Sequence, residues 1–299
     1  MDYNLLARLE KKGNPSISVK PIFKKNDDRD ILDKFLKTQK YLDPKEIFEI
    51  LKINFNSDKP IGYVLIKNDK DVIGFLGTIF SKRLIEENRV EHCYLHSWIV
   101  CEKHRFEAFK LIMPILKKSI FLSTFSPIKT LEGLYKKLGF SEIQFFSKFI
   151  LFLPNLRFKE DDLYLSDDYY FFEKYLSNKN KIILKDHMFT NTKKMMIYSD
   201  KNPNDNLLII VKKKIKMKIL PIIEIIYISD ADKFKLYESK ISLEFFKKFK
   251  TFFLKFNNIE QNKSFLKNSL LLRNIKKKAF YYKRPSNFNF DILYSELTR

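Results

Sequence analysis

The feature that most constrains the fold is a hairpin pattern in the first half of the chain. The segment GYVLIKNDKDVIGFLGTIFSKR, residues 62–83, holds two apolar runs separated by the polar residues Asn68–Asp71. Apolar runs rich in β-branched and aromatic residues on both sides of a short polar turn are typical of two antiparallel strands. The sequence therefore predicts a β-hairpin here.

The segments around this hairpin alternate between strand and helix patterns. Predicted strands are SISVKPIF, HCYLHSWIV, SIFLSTF and SEIQFFSKFILFL, and predicted helices are DDRDILDKFLKTQKYL, DPKEIFEILKINF, HRFEAFKLIMPILKK and PIKTLEGLYKKLGF. Asp43 and Pro44 are a favourable cap and first residue for the second helix, Pro114 should loosen the third, and Gly139 should end the fourth. The predicted order is β, α, α, hairpin, β, α, β, α, β, which indicates an α/β fold.

The second half gives a weaker version of the same pattern. DNLLIIVKKKIKMKILPIIEIIYIS predicts successive strands, LEFFKKFKTFFLKF predicts an amphipathic helix, and SLLLRNIKKKAFYYKR and FDILYSEL predict terminal strands. The polar, acidic stretch from Asn155 to Asp168 marks a domain boundary, so we expect domains at 1–154 and 155–299. All six glycines lie in the first half, which favours that half for chemistry requiring close approach of a ligand to the backbone.

The charge balance is strongly basic. The formal net charge is +21 over 299 residues, which attracts anions such as acidic carrier proteins, phosphorylated cofactors, nucleic acid and anionic membrane surfaces. The lysine runs 212–214 and 276–278 adjoin strand patterns, so we interpret them as solvated strand ends rather than as a nucleic-acid site.

The cysteine content and the apolar runs bear on the compartment. Two cysteines, Cys93 and Cys101, make no disulfide framework, and no spacing of His and Cys predicts a metal site, so we expect a reduced, cytoplasmic protein. The longest apolar run, 219–228, is too short to span a membrane. The basic face of LEFFKKFKTFFLKF leaves contact with a membrane surface open.

The stretch VCEKHRFEAFKLI, Val100 to Ile112, predicts the end of a strand followed by a helix. The first turn of a helix presents backbone N–H groups to anions, and the guanidinium of Arg105 would stand there to hold a phosphate. An ordinary helix start would look the same in sequence.

The surrounding pattern resembles the GCN5-related N-acetyltransferase (GNAT) superfamily from Pro21 to Phe152. In that family the fourth strand ends in Val-x-Pro-x-x-(Arg/Gln)-Gly-x-Gly-x-(Gly/Ala), whose amides bind the pyrophosphate of acyl-coenzyme A, and here Val100 and Arg105 match in spacing. Glu102 replaces the proline, and larger residues replace the small ones, at Phe106, Ala108 and Lys110. The later segment LYKKLGF, 134–140, is similar to the family's C-terminal signature. The resemblance implies a mixed sheet flanked by helices, followed by a second, degenerate GNAT-like domain.

The resemblance also implies roles for individual residues. Tyr135 would protonate the leaving thiolate, and Thr124 and Ser126 would bind the pantetheine arm or a sugar hydroxyl. Backbone N–H groups near Ile99 and Val100 would polarise the thioester carbonyl. The turn that follows would hold the cofactor, through Arg105, Phe106, Glu107, Ala108 and Lys110. His96, predicted to share a strand face with Trp98, titrates near neutral pH and is the candidate base. His96 and Tyr135 could equally be packed core residues, and Ser126 a helix cap.

A narrower resemblance is to a two-domain GNAT-like group associated with bacterial surface-polysaccharide biosynthesis. It rests on SWIVCEKHRFEAFKLIMPILKK, STFSP and the terminal Asp291–Leu297 segment. It implies transfer of an acyl group from acetyl-CoA or another acyl-CoA, or from an acyl carrier protein, to an amine or hydroxyl of a sugar-type acceptor. A catalytically inactive binding or scaffold protein of the same fold is the alternative, and a basic nucleic-acid-associated protein is the third.

Overall fold

The computed structural model describes most of the chain. The described residues are 16–23, 29–39, 58–85, 88–118, 120–125, 127, 129–153, 162–188, 190–199, 201–216, 219–258, 269–286 and 292–293. These residues form two compact units. Unit 1 holds the described residues up to 143 and again 278–286, and unit 2 holds those from 144 to 277 together with 292–293. The predicted domain boundary falls among residues 154–161, outside the described part of the chain.

Unit 1 is a mixed sheet with helices packed on it. Its described strands run in the order β1-β2-β3-β4-β5-β12, and among them β4 and β5 are the parallel neighbours. The strands are β1 (Ile17–Ile22), β2 (Gly62–Lys67), β3 (Asp71–Ile85), β4 (Asn88–Val100), β5 (Phe121–Thr124) and the end of β12 (Ser269–Tyr282). The helices are α1 (Arg29–Lys37), α2 (Phe109–Leu116) and α3 (Glu132–Lys137), with 3-10 helices at Glu102–Glu107 and Lys129–Leu131.

The predicted hairpin is confirmed as β2 and β3. Asn68 and Asp69 adopt positive φ angles of 52° and 59° at its turn, a conformation that asparagine and aspartate tolerate better than most residues. The core of unit 1 lies between this sheet and α2, six of whose residues belong to the same buried cluster: Phe109, Leu111, Ile112, Met113, Ile115 and Leu116. Gly139 ends the α3 segment with a φ of 85°, as predicted.

Unit 2 repeats the arrangement with other strands. Its order is β7-β8-β9-β10-β11-β6, and β10 and β11 are its parallel neighbours. The strands are β6 (Ser141–Phe152), β7 (Leu163–Ser166), β8 (Lys193–Ser199), β9 (Asn206–Lys216), β10 (Leu220–Ile228) and β11 (Phe253–Asn258). The helices are α4 (Tyr169–Tyr175), α5 (Asn178–Asp186), α6 (Ala231–Leu236) and α7 (Glu238–Phe249).

Each unit takes its last strand from the other half of the chain. β6 follows α3 along the chain, yet it pairs with β11, whereas the end of β12 pairs with β5. Both pairings are antiparallel, and each completes the same six-strand order. The repeated order therefore includes an exchange of one strand between the two halves.

Only the first part of one predicted helix is helical, and its last part is a strand. LEFFKKFKTFFLKF contains the end of α7 and then β11, because Lys250 adopts a left-handed conformation with φ 55° and ends the helix. Thr251 then donates a hydrogen bond from its hydroxyl to the carbonyl of Pro221 on β10. The apolar spacing of a helix persists through the segment, but this tertiary hydrogen bond favours a strand.

Two further predictions lie outside the described residues. The helix predicted at DPKEIFEILKINF is one, and the terminal strand FDILYSEL, apart from Ile292 and Leu293, is the other. Among the described helices, no segment has the length and apolar character needed to cross a bilayer.

Candidate functional site

The site begins at a bulge in β4. Gly77 pairs with His96 and Phe75 pairs with Ile99, so β4 has one more residue than β3 over this interval. Ser97 lies in the bulge with a φ of 49°, which is rare for a residue with a side chain. The extra residue reverses which face the later side chains of β4 occupy.

This reversal corrects the predicted placement of His96 and Trp98. Trp98 joins the buried cluster that contains Cys93 and Leu95, whereas simple alternation would have placed it on the opposite face. The His96 ring instead lies over Gly77 on the other face of the sheet. The two side chains therefore flank the bulge on opposite faces, a result that the period-two rule could not supply.

The registered pairing of β4 with β5 ends before the bulge, and we call the unpaired stretch that follows the opening between β4 and β5. The parallel pairing covers only His92↔Phe121 to Tyr94↔Ser123, while β4 stays paired with β3 as far as Val100. Over residues 95–100 the edge of β4 that faces β5 therefore has no registered strand partner in the described part of the chain. Ile99 and Val100, predicted to contact the cofactor, lie on this stretch.

The His96 side chain is buried and tightly packed. A Cβ atom on Gly77 would lie only 2.1–2.5 Å from three atoms of the His96 ring, so the ring packs directly on the glycine backbone. Burial lowers the pKa of His96 to about 3, and the imidazole is therefore neutral at physiological pH. Its Nδ1 lies 3.1 Å from Ser97 Oγ, and its buried Nε2 has no hydrogen-bond partner among the described residues.

Tyr135 lies on the opposite face, with its hydroxyl near the end of β5. It is 2% exposed and is surrounded by aromatic rings: Trp98 at 5.4 Å, Phe140 at 5.0 Å and Phe280 at 5.3 Å between centroids. Burial raises the pKa of Tyr135 above its ordinary value, although a side-chain hydrogen bond with Thr124 opposes that shift. The phenol therefore remains protonated across the physiological range. The indole Nε1 of Trp98 is also buried without a hydrogen-bond partner among the described residues.

The predicted helix start after β4 is a 3-10 helix. Residues 102–107 form this turn with a kink at His104, and the regular helix begins only at Phe109. Cys101, the residue before the turn, makes no side-chain capping bond. The side chain of Phe106 points outward with 70% exposure, so its size does not crowd the turn.

The charged residues of the turn differ in their freedom. Arg105 is exposed and lies 3.4 Å from the exposed carboxylate of Glu102, a pairing that solvent screens strongly. Lys110 is instead held in place, because its Nζ lies 3.0 Å from the buried Glu107 carboxylate and donates to the carbonyl of Ile17 on β1. Arg105 is therefore available to an anion, whereas Lys110 has a structural role.

Of the two remaining predicted site residues, Ala108 and Ser126, the structure describes only the first. Ala108 is buried at the junction between the 3-10 helix and α2. Ser126 lies outside the described residues. The bulge that orients Ser97 and Trp98 was not predicted, because no sequence signal marks it.

The matching region of unit 2 is closed to anions. β10 also carries an irregularity, between Ile225 and Tyr227, and pairs with β11 over only two residues. The helix that follows is capped by Asp230, whose carboxylate accepts hydrogen bonds from the backbone N–H groups of Asp232 and Lys233. A carboxylate thus occupies the position that an anionic ligand would need.

Unit 2 also contains a buried ion cluster. Glu224 on β10 is 1% exposed and is paired with Lys214 and Lys255. Burial raises the pKa of Glu224, but the two lysines outweigh that effect and lower it to about 2. Each of the two lysine runs therefore contains a lysine that binds a carboxylate and is not part of a free basic surface. Lys214 binds Glu224, and Lys278 binds Glu132.

Comparison with solved structures identifies the fold. A GCN5-related N-acetyltransferase from Anabaena variabilis matches with a TM-score of 0.56 and 11% identity over 89% of this chain and 72% of its own. One from Kribbella flavida matches with a TM-score of 0.56 and 8% identity over 89% and 70%. Eis1 from Mycobacterium abscessus matches with a TM-score of 0.50 and 8% identity over 88% and 72%. No protein-family model and no curated protein matches the sequence. The chain therefore has the GNAT fold, as its sequence pattern implied.

Proposed function

We propose that this protein transfers an acyl group from acyl-CoA to an amine or hydroxyl acceptor, using the opening between β4 and β5 of unit 1. The observation that carries the proposal is the early end of the β4–β5 pairing beside the Ser97 bulge. The pantetheine arm of coenzyme A contains amide groups, which can pair with an exposed strand edge as an added strand does. The GNAT fold of the solved structures supports the same use of this region.

The turn after β4 supports binding of the pyrophosphate. It has no side-chain cap at Cys101, and Arg105 is exposed and restrained only by its weak pair with Glu102. A phosphate would form stronger, charge-assisted hydrogen bonds with the guanidinium than this solvated carboxylate does. The contrast with unit 2, where Asp230 caps the corresponding helix, supports the proposal that the cofactor binds in unit 1.

The proposed chemistry uses Tyr135 and His96, which lie on opposite faces of the unit 1 sheet. Attack by the acceptor forms a C–N or C–O bond and breaks the C–S bond, and the protonated phenol of Tyr135 supplies the proton that the sulfur requires. Neutral His96 accepts or donates a hydrogen bond, but because its pKa is about 3 the ring does not take up a proton at physiological pH. The acceptor amine therefore arrives unprotonated, and its own proton replaces the one that Tyr135 gave.

The acceptor and the donor carrier are the finer part of the proposal. We infer a sugar-type acceptor, in surface-polysaccharide or other glycan biosynthesis, from the sequence resemblance alone. The net charge of +21 favours encounter with acidic acyl carrier protein as well as with free acyl-CoA. The cytoplasm supplies both donors.

A non-catalytic binding protein is the second candidate. The glycines of the GNAT turn are absent, and the 3-10 helix that replaces it has a kink at His104, so the backbone amides are not arranged as in a regular helix start. In this case the fold would bind a partner without using the opening for acyl transfer.

Acyl-CoA binding decides between the two. Acetyl-CoA and octanoyl-CoA should raise the melting temperature, and Arg105→Ala should weaken binding roughly tenfold, since a hydrogen bond to a charged group contributes about 1.5–3 kcal/mol. Arg273→Ala, which removes an arginine from β12 in unit 2, is the matched control and should bind like the unmodified protein. An unchanged melting temperature with both ligands would remove the enzyme hypothesis and leave the binding protein.

A further inference from the structure

Unit 2 contains two buried polar side chains that face each other without a hydrogen bond. Asn257 of β11 lies directly opposite Ser147 of β6 in the antiparallel pairing of these strands. Ser147 is 0% exposed. Its Oγ, and both Oδ1 and Nδ2 of Asn257, are buried and have no hydrogen-bond partner among the described residues. Burying such groups without partners costs free energy, so three of them on one cross-strand pair require an explanation.

The pair lies beside the point where β10 and β11 stop pairing. Their parallel pairing ends at Lys255 on the β11 side, and Asn257 comes two residues later. Because side chains alternate along a strand, Lys255 and Asn257 share a face, and Ser147 shares it as the cross-strand partner of Asn257. Phe256, between them, points to the other face and belongs to the buried apolar cluster there. The polar pair is therefore separate from that cluster.

Aromatic rings fill the same positions in unit 1. There the last parallel pair is Tyr94↔Ser123. Phe125 follows Ser123 by two residues, as Asn257 follows the last pair in unit 2. The Phe125 ring centroid lies 5.8 Å from those of both Tyr94 and Tyr281, and Phe125 is 3% exposed. Unit 2 thus has a smaller, hydrogen-bonding side chain where unit 1 has a packed apolar ring.

The neighbouring charges favour a neutral ligand for this pair. Glu224 is 1% exposed and is paired with Lys214 and Lys255, so these two lysines already hold a carboxylate. An asparagine carboxamide accepts hydrogen bonds at Oδ1 and donates them at Nδ2, and a serine hydroxyl does both. Two adjacent hydroxyl groups of a sugar match this pattern, because one donates to Oδ1 while the other accepts from Nδ2. Either of them can also bond to the hydroxyl of Ser147.

We propose that Asn257 and Ser147 form a saccharide-binding site in unit 2, which takes a vicinal diol of a neutral sugar. Asn257 as a whole is partly exposed, so a rotation of its side chain would bring the carboxamide to a ligand at the surface. The sugar would then supply hydrogen bonds that the described chain does not supply. This site uses neither acyl-CoA nor the opening between β4 and β5, so it goes beyond the proposed function and does not rest on it.

Saturation-transfer NMR on the full chain without acyl-CoA tests the site, because this method detects weak ligands. The probes are the methyl glycosides of glucose, mannose and galactose, whose vicinal hydroxyl pairs differ in geometry. At least one should receive saturation from the protein. Asn257→Leu combined with Ser147→Ala should weaken its binding about tenfold or more, and Ser147→Ala alone should weaken it in the same direction. Acetamide is the competing probe, since a carboxamide also donates and accepts.

Thermal unfolding without sugar shows whether the double variant is intact. Replacing unpartnered polar groups by apolar ones removes their cost, so its melting temperature should be unchanged or higher by about 2–4 °C. The matched control is Asn206→Leu in the same unit. The Nδ2 of Asn206 donates to backbone carbonyls, those of Tyr175, Pro203 and Asn204. This variant should melt at a lower temperature and bind the sugar like the unmodified protein.

Sugar binding that the double variant loses and Asn206→Leu keeps supports the site. Absence of saturation in all three glycosides, binding of acetamide alone, or equal sugar binding by the double variant would refute it. A lower melting temperature of the double variant, with no sugar bound by the unmodified protein, would mean that only ordered water fills the site. The outcome is independent of acyl transfer: sugar binding with no response to acyl-CoA removes the proposed function alone, and the reverse result removes this site alone.

Discussion

Removing the hydroxyl of Tyr135 separates its structural role from its catalytic one. In Tyr135→Phe the ring contacts with Trp98, Phe140 and Phe280 remain, and only the hydrogen bond with Thr124 is lost. Thr124 is 4% exposed, so its hydroxyl would be left in a buried position. Losing one such bond costs about 1–2 kcal/mol of the free energy of unfolding. Denaturant unfolding measures that loss.

The catalytic loss should be larger and should appear in a different measurement. A general acid contributes about 100- to 10,000-fold to the rate, which equals about 3–5 kcal/mol of activation free energy. We expect turnover, measured as release of free thiol from acetyl-CoA with an amino sugar, to fall by at least 100-fold. The dissociation constant of acetyl-CoA should change less than threefold, because the phenol proton is used only as the C–S bond breaks.

Thr124→Val is the matched control for this prediction. It removes the same hydrogen bond and keeps the phenol, so its loss of stability should be close to that of Tyr135→Phe while its turnover stays within about tenfold of the unmodified protein. Equal turnover in Tyr135→Phe and the unmodified protein would refute the reasoning, and Tyr135 would then be a core residue only.

Two further predictions concern the buried polar groups. Glu224→Gln should destabilise the protein most near neutral pH. The carboxyl pKa is about 2 in the folded chain against 4.5 ordinarily, so it contributes about 3 kcal/mol that is present above pH 4.5 and is lost as the pH falls toward 2. The difference in free energy of unfolding between variant and unmodified protein should therefore shrink over that range, and a difference independent of pH would contradict the assignment. Gly77→Ala should displace the His96 ring, cost about 1–3 kcal/mol and weaken acetyl-CoA binding, as measured by thermal unfolding and titration. Gly133→Ala, in α3 with open space around its Cβ, should be neutral or stabilising by about 0.5–1 kcal/mol, and an equal loss in both glycine variants would show that the His96 contact is unimportant.

Local patterns in the sequence determined most elements of unit 1. The hairpin turn at Asn68–Asp69 and the helix end at Gly139 depend on residues that tolerate positive φ, and such preferences can be read from sequence directly. The order of elements and the LYKKLGF segment also indicated the GNAT fold. Arg105 was also correctly placed just after β4, in an exposed turn.

Only the tertiary structure decided how the site is arranged. The bulge at Ser97 depends on the pairing of β4 with β3, and it moved Trp98 to the face opposite His96. The strand after Lys250 depends on a hydrogen bond from Thr251 to a distant carbonyl, against a local helical pattern. The exchange of β6 and β12 between the two halves of the chain likewise depends on partner strands, β11 and β5, that are far apart from them in sequence. Local residue preferences set the elements, whereas long-range pairing sets which side chains meet.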